Sequence, residues 1–208
     1  MSEKEQALQL HRHRFREVGR AFAAPARVNL IGEHTDYTGG LVMPMAIGFR
    51  TVAVLSPRID NRAVFYSASF DEEVSFEIAS MGLTPQGRWS DYPAGVLWSL
   101  RQEGIEIGGF NMSLMGDVPL GAGLSSSASL EVAAAMALLG HAKETLPLKK
   151  LATLCRRGSI CSWGSDREPG DASRLQIIGV RVAAIARRST CGDLQFDGEA
   201  CGVDRRVW

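Results

Sequence analysis

Two short stretches hold most of the residues able to do chemistry. In the first, residues 25–44, Arg27, Asn29, Glu33, His34, Asp36 and Tyr37 crowd into eleven positions. Apolar Val28, Leu30 and Ile31 anchor them, and Gly32 and the Gly39-Gly40 pair permit sharp turns. Such a cluster is costly to bury unless its groups pair with one another or with a ligand. Asp and Glu accept several hydroxyl hydrogen bonds, so carboxylates beside a His suit a polyol. Arg27 could stabilise charge on a transferring phosphoryl group. A surface turn closed by a local salt bridge would use the same residues.

The second stretch is Pro119-Leu-Gly-Ala-Gly-Leu-Ser-Ser-Ser-Ala-Ser129. Gly121 and Gly123 can take positive φ and let the backbone approach a ligand. Ser125, Ser126 and Ser127 then bring hydroxyls and backbone N–H groups to the first turn of a helix. That end carries unsatisfied donors and a partial positive charge, which suits phosphate. A serine hydroxyl there could also reach Mg²⁺, a hard cation that prefers oxygen. No Gly-Lys-Ser/Thr follows, so this is not a P-loop, and G-x-G-x-x-G fails at Ser126. A turn with a serine N-cap is the plainer alternative. One stretch favours hydroxyls and the other phosphates; phosphoryl transfer from a nucleotide to a sugar needs both side by side.

Strands and helices must position these stretches. Residues 3–20 read as a helix, with Leu8, Phe15, Val18 and Phe22 near one face and a solvated basic face opposite. His11 and His13 do not share a helical face, so no metal role is assigned to them. Segments 47–56, 62–67, 74–78 and 110–114 read as strands. Residues 89–101, 126–139 (with Gly140 as C-cap) and 148–157 read as helices. Strands interleaved with helices indicate an α/β or α+β domain.

Composition bounds the rest. In 208 residues, Lys+Arg and Asp+Glu are both 23, which removes the global charge argument for a nucleic-acid binder. No apolar run approaches a membrane span, and the first residues lack the apolar region of a secretory signal. The expectation is a cytoplasmic protein without nucleic-acid or membrane partners. The cysteines, Cys155, Cys161, Cys191 and Cys201, form no C-x-x-C pair. All four Lys lie at or before Lys150, and nine Arg follow from Arg156 onward. Composition therefore changes near residues 155–158.

Arg27-Val-Asn-Leu-Ile-Gly-Glu-His-Thr-Asp-Tyr37 resembles the galactokinase signature. Gly116-Asp-Val-Pro-Leu-Gly-Ala-Gly-Leu-Ser-Ser-Ser-Ala-Ser129 resembles the ATP-binding motif of the GHMP small-molecule kinases. Their order, their separation and the intervening Trp89-Ser-Asp-Tyr92 are also similar, and the likeness runs from about Phe22 to Cys155. It implies an α+β fold, the GHMP-kinase N-terminal domain, with a mixed β-sheet and packed helices. It implies ATP-dependent phosphorylation of galactose to galactose 1-phosphate, with Mg²⁺. N-acetylgalactosamine is the alternative substrate. By the same resemblance, Glu33, His34, Thr35 and Asp36 bind the sugar, and Arg27 lies by the reacting groups. Gly121, Ala122, Gly123, Leu124, Ser125, Ser126 and Ser127 wrap the ATP phosphates, with Ser127 a Mg²⁺ ligand. Ser67 lies by the nucleotide, and Trp89 lines the base pocket.

The chain also departs from the pattern. Where the family has a second Mg²⁺-binding Glu, it reads Arg157-Gly158-Ser159. The Gly-Ile-Met-Asp-Gln segment is missing, and Asp171, near the right spacing, has unmatched neighbours. The expected organisation is an N-terminal helix (1–20), a galactokinase-like domain (21–157) and a non-matching tail (158–208), from a shifted reading frame or disordered. A divergent tail with a strand over 175–186 is the alternative. The family's C-terminal domain is expected to be absent. Turnover is expected to be impaired, and the alternatives are a catalytically incomplete fragment that at most binds sugar or nucleotide, a sensor, or an unstable fragment.

Overall fold

A computed structural model describes residues 1–31, 43–80, 86–119 and 122–162, with backbone alone over 159–162. The elements run α1 (Glu3–Phe15), β1 (Arg20–Asn29), β2 (Pro44–Pro57), β3 (Arg62–Ser67), β4 (Glu72–Glu77), α2 (Asp91–Gln102), β5 (Phe110–Gly116), α3 (Ser126–Ala142) and α4 (Leu148–Ser162). The strands form one sheet in the order β1-β2-β5-β3-β4. Only β3 and β5 run parallel; the other neighbours are antiparallel. This is the mixed sheet that the sequence predicts.

Side chains alternate across the strands, so each strand feeds two layers. Phe22, Ala24, Ala53, Leu55, Phe65 and Phe110 join the large core shared with α2, α3 and α4. Val52 and Val54 point the other way and pack with Ala7 of α1. Helix α3 is apolar nearly all round, as a helix enclosed between a sheet and other helices must be.

Helix α1 is shorter than the periodicity predicts. It stops at Phe15, and Arg16 turns left-handed with φ 60°. Val18 is left 82% exposed, and Phe22 belongs to β1. The apolar spacing ran on past a backbone stop. His11, by contrast, is fully buried on the sheet side. Its Nδ1 lies 2.7 Å from Ser113 Oγ and its Nε2 2.9 Å from Ser56 Oγ. Ser56 donates to Glu17 at 2.5 Å, Asn111 donates to the same carboxylate, and Arg58 donates to Asn111. This polar network docks α1 together with the packing of Ala7 on Val52 and Val54.

Gly140 does not end its helix. Helix α3 continues to Ala142 and is closed by left-handed Lys143, φ 57°. Gly140 sits inside the helix because a methyl group there would run into the Phe22 ring. Helices α2 and α4 also meet closely: a Cβ on Gly158 would lie 2.7 Å from the Gly95 carbonyl carbon. The tail from residue 163, with the alternative strand 175–186 and Asp171, lies outside the described residues.

Candidate active site

The two chemistry-bearing stretches meet at an irregularity in the sheet. Pro25 pairs with Arg50, but Arg27 pairs with Ala46, so the β1–β2 register slips between them. At the slip the Arg27 backbone N–H donates to the carbonyl of Leu124 at 3.2 Å. One step before it, Ser129 Oγ donates to the Ala24 carbonyl at 2.7 Å and accepts from Thr51 N–H at 3.2 Å. The helix behind the glycine-rich loop is thus bonded to the two strands beside Arg27. Arg27 and Asn29 alternate along β1, and each is 8% exposed. Among the described residues, neither amide atom of Asn29 has a hydrogen-bond partner.

The loop itself is strained at its exit. Gly123 has φ 70°, which glycine adopts freely. Ser125, the N-cap of α3, is also left-handed, with φ 54° and ψ 53°, and its side chain makes no capping bond. A non-glycine residue in that region costs free energy and is concentrated at ligand sites. No acidic residue stands in the first turn of α3, so its positive end meets no carboxylate of its own.

In front of that helix end lies a cleft of about 860 Å³. Ser126, Ser127, Thr51 and Gly116 are in its lining, with Ser67 from the end of β3. Part of the lining is aromatic. Trp89, only 9% exposed, donates its indole N–H to Glu72 at 2.6 Å. Phe70 lies nearly parallel to it, ring centroids 6.3 Å apart at 12°. Arg88 reaches the other Glu72 oxygen at 3.5 Å, and the Asp91 carboxylate accepts the backbone N–H groups of Gln86 and Arg88 at 2.9 and 3.1 Å. The cleft therefore offers hydroxyls and helix donors together with flat apolar surface.

Of the residues predicted from sequence, Ser67, Trp89, Ser126 and Ser127 line this one cleft. Ala122, Gly123, Leu124 and Ser125 form the described part of the loop, and Arg27 joins it through Leu124. Gly121, Glu33, His34, Thr35 and Asp36 lie outside the described residues. Sequence reasoning missed Glu72, Phe70 and Asp91. Asp91 stood in the Trp89-Ser-Asp-Tyr92 segment, but Glu72 and Phe70 gave no signal beyond a polar hairpin turn. Arg157, where a carboxylate is expected, is tied to α2 through Ser99 at 3.0 Å and Glu103 at 3.2 Å. Among the described residues no group of three or more His, Cys, Asp or Glu could hold a metal by itself. No helix there is long and apolar enough to cross a membrane.

Comparison with known proteins agrees with this geometry. The family model "Galactokinase galactose-binding signature" matches residues 9–57, and "GHMP kinases N terminal domain" matches residues 91–173. The second match continues beyond Cys155, where the visible motif likeness ends. A galactokinase of Pyrococcus furiosus is 55% identical over 109 residues, 52% of this chain and 30% of that protein. A galactokinase of Streptomyces coelicolor is 45% identical over 150 residues, 69% of this chain and 39% of that one. The crystal structure of Lactococcus lactis galactokinase complexed with galactose superposes with a TM-score of 0.71 at 30% identity, covering 77% of this chain and 43% of that one. A mevalonate kinase of Methanococcus jannaschii, 18% identical with a TM-score of 0.67, shares the fold. The chain spans 30–39% of the length of these two curated relatives. The chain matches the N-terminal part of the galactokinases within the GHMP kinases.

Proposed function

We propose that this chain carries the sugar- and nucleotide-binding part of a galactokinase-type phosphotransferase, in which the γ-phosphoryl group of ATP passes to the anomeric hydroxyl of galactose. The observation that carries the reading is the Arg27–Leu124 hydrogen bond, which joins the sugar-signature strand to the phosphate loop. In this reading Gly121 to Ser127 hold the ATP phosphates, while Ser67 and Trp89 line the nucleoside side. Glu33, His34, Thr35 and Asp36 bind the sugar hydroxyls. The Arg27 guanidinium stabilises negative charge on the transferring group.

Mg²⁺ fits here only as a partner of ATP. Phosphate oxygens and the Ser127 hydroxyl make an oxygen donor set suited to a hard cation. Bound there, it neutralises phosphate charge. The chain's own task is to orient the two substrates and keep water from between them.

A second reading is favoured by Arg157, whose guanidinium is committed to α2 where a metal-binding carboxylate is expected. It is a site that binds without turning over. A coupled ADP-release assay with ATP, Mg²⁺ and galactose, run on this chain and on Arg27→Ala, separates the two. Galactose-dependent release that disappears in the variant supports transfer; galactose binding without release supports the second reading; neither binding nor release overturns both. N-acetylgalactosamine in place of galactose tests the sugar.

A further inference from the structure

The aromatic part of the cleft lining is held by one carboxylate that no motif contains. Glu72 is the first residue of β4, directly after the β3–β4 turn. Its Oε2 accepts the Trp89 indole N–H at 2.6 Å, and its Oε1 faces Arg88 at 3.5 Å. The turn it closes is tied back to β3: Tyr66 donates its hydroxyl to Asp71 at 2.8 Å, and Asp71 is left-handed with φ 47°. The same turn presents Phe70, nearly parallel to Trp89. Glu72, Phe70 and Trp89 line the same cleft as Ser126 and Ser127.

An indole has one polar atom, and a hydrogen bond there fixes the plane in which the ring lies. The bond to an ionised acceptor is stronger than one to a neutral group. Trp89 precedes α2 rather than lying within it, so the helix alone does not set its rotamer.

Resting on the nucleotide reading above, we infer that Glu72 is a positioning residue for the purine base: it sets the plane of Trp89 and so determines how strongly the cleft holds the nucleoside, without touching the phosphates.

The test compares Mg·ATP, adenosine and inorganic tripolyphosphate by titration calorimetry on the 208-residue chain, Glu72→Leu and Glu72→Gln. Glu72→Leu should weaken ATP and adenosine by roughly tenfold and leave tripolyphosphate unchanged. Glu72→Gln keeps a carbonyl acceptor for the indole and should restore most of the affinity. ATP binding unchanged in Glu72→Leu overturns the inference, as does an equal loss of ATP and tripolyphosphate, which marks a structural role. If the unsubstituted chain binds tripolyphosphate but gains nothing from the nucleoside, the inference fails while the phosphate site stands. If it binds none of the three, the nucleotide reading itself fails and the inference with it.

Discussion

The Arg27 backbone N–H and the Leu124 carbonyl lie 3.2 Å apart, across 97 residues of chain. The bond sits where the β1–β2 ladder slips. The irregularity in pairing coincides with the joint between β1 and the glycine-rich loop.

Ser127→Ala tests the metal assignment. The hydroxyl is the only group the variant loses, so the α3 N–H donors stay in place. Affinity for ATP should fall by roughly tenfold with Mg²⁺ present and much less without it. Calorimetric titration in both conditions checks this; equal losses would remove Ser127 from the metal site.

Ser129→Val removes two buried hydrogen bonds and orphans the Ala24 carbonyl and the Thr51 N–H. The expected loss is about 2 kcal/mol of unfolding free energy. Urea unfolding should show it as a lower midpoint with the same slope.

Asn29→Leu should do the opposite. The Asn29 amide is buried, and neither its oxygen nor its nitrogen is paired among the described residues. Such a group is costly unless a ligand meets it. The variant should gain about 1 kcal/mol in the absence of ligand and lose any thermal stabilisation by galactose. A variant that is more stable and still stabilised by galactose would mean that the amide serves no sugar.

Acid should loosen α1. Burial lowers the His11 pKa to about 4, opposed by the nearby Glu17 carboxylate. The unfolded chain protonates His11 near 6.5. Between the two values the unfolded state binds more protons, so stability falls as pH drops from 6.5 towards 4 and levels off below. The full change is on the order of 3 kcal/mol. Glu17, through Ser56, and Arg58, through Asn111, are the charged groups of that network. Urea midpoints at pH 7 and pH 5 should differ for the unsubstituted chain and converge in His11→Leu.

Much of the fold was legible because its strands and helices carry apolar periods that match their burial. Residues 62–67 read as a strand and form β3 with the same ends. Both local motifs were legible as chemistry, since glycines, serines and a charged cluster are visible without contacts. What was hidden depends on long-range contact. Val18 fits a helical stripe, but the left-handed Arg16 has already ended the helix. Gly140 looks like a stop, but the Phe22 ring is what requires it. His11 looks like part of a basic surface until Ser56 and Ser113 arrive from distant strands. Glu72 could be found only once β4 stood beside Trp89.

The close crossing of α2 and α4 at Gly95 and Gly158 has a consequence for tolerance to change. Asp91 and Tyr92 at the head of α2 wall the cleft, so whatever sets the rise of α2 also sets that wall. The smallest added side chain at residue 158 must push the two helices apart or slide one along the other. In a saturation screen for nucleotide binding, residue 158 should accept glycine alone, with the intolerance of a binding residue and no ligand contact to account for it.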